Sequence, residues 1–105
     1  MDERNKIYKV VIQNTATDML VDHARFLAQV CESAANRLTN EFVNMAKTLE
    51  YMPERCPWLT YDEIAERKYR KLIFEKHYML VFQVIENTVY VDAMIDCRSD
   101  YTWLL

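Results

Sequence analysis

A change of hydrophobic period at Tyr69 governs how this chain can fold. From there onward the pattern has period two, the repeat of extended strands whose successive side chains point to opposite faces. Tyr69 to Phe74 and Tyr78 to Ile85 read as strands separated by Glu75-Lys76-His77, and Thr88 to Ile95 reads as a third strand after a turn at Glu86-Asn87. The chain contains no glycine, so Asn87, of a type that tolerates left-handed backbone, is the expected turn residue. In the last strand Val89, Val91, Ala93 and Ile95 fall on one face, opposite Tyr90, Asp92 and Met94. In the central strand both alternating sets, Tyr78, Leu80, Phe82, Val84 and Met79, Val81, Ile85, are apolar, as in a sheet covered on both sides.

Upstream the period is helical. Tyr8 to Ile12 is a first strand, rich in β-branched residues, ending at Gln13-Asn14-Thr15. Thr15 or Thr17 is placed to cap a helix, and Asp18 suits the positive end of its dipole. Leu20, Ala24, Leu27, Ala28 and Cys31 recur on one helical face, widened by Phe26 and Val30. Glu32-Ser33 interrupts the run, and Ser33 is placed to cap a second helix carrying Ala35, Leu38, Phe42, Met45 and Leu49. Pro53 predicts its end near Met52, because proline disfavours helical geometry in the preceding residue. Residues 53–68 form a connecting loop, with one helical turn possible at Asp62-Glu63-Ile64-Ala65 and with Trp58 and Tyr61 anchoring it over the helices.

The expected fold is therefore α+β, of order β-α-α-β-β-β, with a helical hairpin on one face of a mostly antiparallel four-stranded sheet. No helix remains to cover the second sheet face, so an apolar patch awaiting a partner is expected there. The 105 residues are enough for a single domain, 1–105, with one core. No run approaches the apolar length of a membrane span, and the charged start lacks the apolar stretch of a secretion signal, so a cytoplasmic protein is expected.

Composition excludes several chemistries. Without glycine there is no Walker loop, GxGxxG turn or GxSxG elbow, so no nucleotide cofactor is expected. Cys31, Cys56 and Cys97 are an odd number at wide spacing, read as small buried thiols, and with only His23 and His77 present no metal site is expected. The net charge of -3 disfavours unaided binding to nucleic acid, although Arg67, Lys68, Arg70 and Lys71 make a local basic patch.

The runs Tyr69-Arg70-Lys71-Leu72, Tyr78-Met79-Leu80-Val81-Phe82-Gln83-Val84, Val89-Tyr90-Val91 and Cys97-Arg98-Ser99-Asp100-Tyr101, in this order of elements, resemble the RelE/ParE toxins of bacterial toxin-antitoxin pairs. The resemblance spans nearly the whole chain and implies a toxin neutralised by an antitoxin that lays helices and an extended segment over it. RelE-like members are ribosome-dependent mRNA endoribonucleases, whereas ParE-like members poison DNA gyrase without a catalytic set. On the ribonuclease branch the resemblance implies Arg70, Arg98 and Tyr101 as catalytic candidates, and His77, in the turn beside Tyr78, joins them as a group able to act as acid or base near neutral pH. Each has a plainer role: an ion pair of Arg70 with Asp92 or Asp96, a solvated turn for His77, and for the chain end, packing of Tyr101, Trp103, Leu104 and Leu105 on the core. His23, beside Phe26, reads as structural. Met79 departs from the ribonuclease pattern, standing where an arginine would steady the phosphate. The reading leans to a ParE-like poison, with the ribonuclease and a degenerate, non-toxic member as alternatives.

Overall fold

A computed structural model of the chain describes residues 6–60 and 67–98. β1 (Lys9–Ile12) leads into α1 (Asn14–Ala28) and α2 (Glu32–Thr48), followed by a single 3-10 turn (Pro53–Arg55) and the strands β2 (Arg70–Phe74), β3 (Tyr78–Ile85) and β4 (Thr88–Asp96). The strand order is β1-β4-β3-β2, with β1 parallel to β4 and the other pairs antiparallel. The two helices thus carry the chain from β1 at one edge of the sheet to β2 at the other, from where the β2-β3-β4 meander returns to lie beside β1, and the expected α+β order holds.

The main core lies between the helical hairpin and the sheet. Ala16 and Leu20 of α1 and Leu38, Phe42 and Ala46 of α2 meet Leu80 and Phe82 of β3 and Val89, Val91 and Met94 of β4. Burying side chains the size of Leu38 or Phe42 contributes about 2 to 3 kcal/mol each. The apolar arc of α1 is narrower than its sequence suggests: Phe26 and Val30 are 66% and 81% exposed, and Ala28 and Cys31 also face solvent. Leu27 is the last side chain of α1 packed against the core.

The helix starts differ from expectation. Gln13 precedes α1 with no side-chain cap, and Asp18 falls beyond the first turn. Cys31 precedes α2, and Ser33 sits inside the first turn, its hydroxyl 3.2 Å from the Cys31 sulfur. α2 ends at Thr48, short of Met52; the N–H groups of Leu49, Glu50 and Tyr51 take the carbonyls of Ala46, Lys47 and Thr48, and Arg55 donates to the Thr48 hydroxyl and to the carbonyls of Tyr51 and Met52 just beyond the helix.

A bulge in β4 alters the expected pattern of faces. Val81 pairs with Ala93 but Phe82 pairs with Val91, so Asp92 is the extra residue. Val89 and Val91 face the helices, whereas Ala93 and Ile95 face the other side with Met79 and Val81, and Met94 turns back to the main core. Asp92 stays on the far face, where it accepts a hydrogen bond from the Gln83 side chain at 2.7 Å.

The far face is not left open at its centre. Met79, Val81, Ala93 and Ile95 are buried there in a cluster with Leu59 of the connecting segment. The Leu59 N–H donates to the Tyr69 carbonyl and the Lys71 N–H to the Pro57 carbonyl, tying 57–59 along the β2 edge. This corrects the expectation of a bare apolar patch; among apolar strand residues outside that cluster, Ile73 and Ile85 remain about half exposed. Trp58 also belongs to this edge, bridging to Arg70 and not lying over the helices. Tyr61 and the possible helical turn at Asp62 lie outside the described residues.

Candidate functional site

The bulge carries the end of β4 back toward the helices and delivers Asp96 to the mouth of α1. Tyr78, the first residue of β3, pairs with Asp96, and the Cys97 N–H donates to the His77 carbonyl at 2.7 Å, so the turn before β3 and the end of β4 are one unit. Asp96 is the buried charged residue of the described chain, at 5% exposure. Its Oδ1 accepts the Arg98 backbone N–H at 2.9 Å and the Arg98 Nε at 3.1 Å, while Oδ2 accepts Nη2 at 3.0 Å. Burial alone pushes the Asp96 carboxyl up, but the hydrogen bonds and charge of Arg98, helped by His77, outweigh it and hold the group below the ordinary carboxylate range. The same carboxylate pushes the Arg98 guanidinium further up.

Around this pair stand both histidines. The His77 ring lies 4.4 Å from that of Tyr78, and His23 of α1 meets Tyr78 edge-on at 5.8 Å. With Asp22, Phe26 and Leu27 of α1 and with Arg98 they surround Tyr78, and a cleft of about 270 Å³ opens between α1 and the Tyr78–Asp96 pair.

Of the sequence candidates, the structure places His77 and Arg98 at this unit and Arg70 elsewhere. Arg70 pairs with Phe82, four residues along β3 from Tyr78, or about 13 Å at strand rise. It donates to the carbonyls of Glu54 and Cys56 at 3.1 and 2.6 Å, and its guanidinium stacks 3.7 Å from the Trp58 ring centre. These contacts replace the ion pair with Asp92 or Asp96. Tyr101 lies outside the described residues. Met79 is buried in the far-face cluster at 3% exposure, so an arginine here would enter a dry core.

The thiols divide three ways. Cys56 is buried and Cys97 half-buried, and burial pushes both thiols up, whereas Cys31 is exposed, which corrects the expectation of three buried groups. The Ser33 hydroxyl and the Ala34 N–H pull the Cys31 thiol down. Among the described residues no group of histidine, cysteine and acid side chains is arranged to hold a metal ion, and no helix there is long and apolar enough to cross a membrane.

Sequence reasoning missed the role of Asp22 and Asp96 in this site. The Asp96-x-Arg98 spacing was a readable signal, since an aspartate commonly accepts the backbone N–H two residues on. His23 gave no such signal, because it meets Tyr78 from 55 positions away in sequence.

The fold is of the class in which a helical hairpin crosses one face of a four-stranded sheet with a parallel edge pair. Among solved structures it is similar to a chain of one described as a chromosomal ParDE TA system from P. aeruginosa, with a TM-score of 0.69 and 12% sequence identity over 88% of this chain and 98% of that one. No family model matches the sequence, and no curated protein matches it either.

Proposed function

We propose that this chain is the toxin of a bacterial toxin-antitoxin module, neutralised in the cytoplasm by a cognate antitoxin. The observation that carries the reading is the likeness of fold to a chain of a ParDE TA system across nearly the whole of both chains. Within that reading the chain is a ParE-like poison that binds a protein target of the DNA gyrase class. Supporting this finer reading, Arg70 is engaged by two carbonyls and Trp58, and the phosphate-steadying position holds the buried Met79. The acidic balance of the chain points the same way.

A ribosome-dependent endoribonuclease is the second reading, favoured by His77 and Arg98 standing in the same unit at the β4 end, where the Cys97 N–H bonds the His77 carbonyl and Arg98 bonds Asp96, and where imidazole and guanidinium suit proton transfer and phosphate binding. Induced expression separates the two. Growth arrest with DNA damage, and inhibition of purified gyrase, is the expected result. Arrest with mRNAs cut at codon boundaries sinks the gyrase reading in favour of the ribonuclease. No arrest, together with no binding to the product of an adjacent small gene, removes the toxin assignment.

A further inference from the structure

We infer that the cleft between α1 and the end of β4 receives an arginine side chain from the antitoxin, an inference that rests on the toxin reading above. The cleft, about 270 Å³, has room for one long side chain. Its walls are largely apolar and aromatic, formed by Phe26, Leu27, Tyr78 and His23. Asp22 stands one helical turn before Phe26, exposed and without an ion pair among the described residues. The other charges at the cleft, Asp96 and Arg98, neutralise each other at 3.0 Å. The carboxylate at the cleft left without an ion pair among the described residues is therefore that of Asp22.

A guanidinium answers each of these features. It remains protonated, forks onto a carboxylate, stacks on aromatic rings, and carries an aliphatic stem that covers apolar wall. An ammonium meets the charge but stacks less well, and an anionic or neutral group leaves Asp22 half-desolvated without a partner. The chain already uses this pairing internally, where Arg70 lies over Trp58. Phe26 and Val30 continue the exposed α1 surface at one-turn intervals, so the arriving arginine belongs to a segment with apolar residues beside it.

The first arm of the test titrates the full chain with N-acetyl-arginine amide and, separately, with N-acetyl-citrulline amide, its uncharged counterpart, and follows backbone amide shifts. Saturable shifts confined to residues 22–27 and Tyr78 are expected for the arginine compound alone, and Asp22→Asn abolishes them with its circular dichroism unchanged. The second arm measures affinity for the antitoxin encoded by the adjacent gene. Asp22→Asn weakens that complex about fivefold and lowers its salt dependence, the scale of one partly exposed charge pair. Asp18→Asn, one turn earlier on exposed α1 surface, leaves it unchanged. Equal shifts from the citrulline compound, or an Asp22→Asn complex as tight as the original, overturn the inference while the toxin reading stands. A chain that binds no adjacent gene product overturns the toxin reading and this inference with it.

Discussion

In a chain without glycine, side-chain-bearing residues must take the left-handed turns. Met52, Arg67, Glu75, Lys76 and Glu86 all have positive φ, from 46° to 70°. At the β3–β4 turn it is Glu86, not Asn87, that does so: the first position of the two-residue turn carries the positive angle while Asn87 stays on the ordinary side. Lys76 shows the largest angle, 70°, and points into solvent. Lys76→Gly is therefore expected to raise stability by up to about 1 kcal/mol, read from the urea midpoint, because the Cβ clash disappears. Arg70→Ala should lower it by about 1 to 2 kcal/mol through two lost hydrogen bonds and shift Trp58 emission to the red. An unchanged midpoint and spectrum would refute the structural role given to Arg70. Asp96 titrates below its unfolded value, so its contribution is complete above about pH 5 and is lost as pH falls through the folded value. Asp96→Asn should therefore flatten the acid limb of the stability profile below pH 5, and a limb of unchanged slope would contradict this.

The β4 bulge is the element on which the site depends. One extra residue at Asp92 reverses the facing of everything after it, placing Ala93 and Ile95 in the far-face cluster and returning Met94 and Asp96 to the helix side. A bulge-free strand would set Met94 and Asp96 against the far face and Ile95 against α1. Deleting Asp92 should thus yield a chain that fails to fold or loses the Arg98 latch, seen as lost amide-shift dispersion in a nuclear magnetic resonance spectrum. A well-dispersed spectrum with the Asp96–Arg98 contact intact would show that the bulge is dispensable. The connecting segment works in the same register-setting way: 57–59 closes the β2 edge by main-chain bonds and seats Leu59 over the far face.

At the scale of the molecule, the sheet is covered on both sides, by the hairpin on one and around Leu59 on the other, and the α1–β4 cleft stays open at one end. This arrangement places Met79 where a charge cannot be solvated. Met79→Arg should cost about 3 kcal/mol or more, the penalty of an unpaired buried charge, and should not create RNA cleavage. A stable Met79→Arg protein that cuts mRNA would mean that the far face opens readily and that the ribonuclease pattern lacked only this residue.

The element order and the strands were legible in the sequence, because each follows from a local cause, a period of two or of three-to-four; α2 ends at Thr48, before the Met52 that Pro53 suggested. The double apolar face of β3 likewise announced a sheet covered on both sides. The bulge was not legible, since nothing in Val91-Asp92-Ala93 breaks alternation until β3 pairs against it. Nor was the outward facing of Phe26 and Val30, which depends on where the sheet lies against α1 and not on the helix's own spacing. The site follows the same division. His77 and Arg98 stood out by residue type, but the contacts of Arg70 were not legible, because its partners lie 14 and 16 positions back in the connecting segment. The period-two block from Tyr69 thus determined by itself that three strands form a meander. Which side chains those strands present to the helices, to the linker and to the cleft was decided only by tertiary pairing, because one unpaired residue in a ladder inverts every face beyond it.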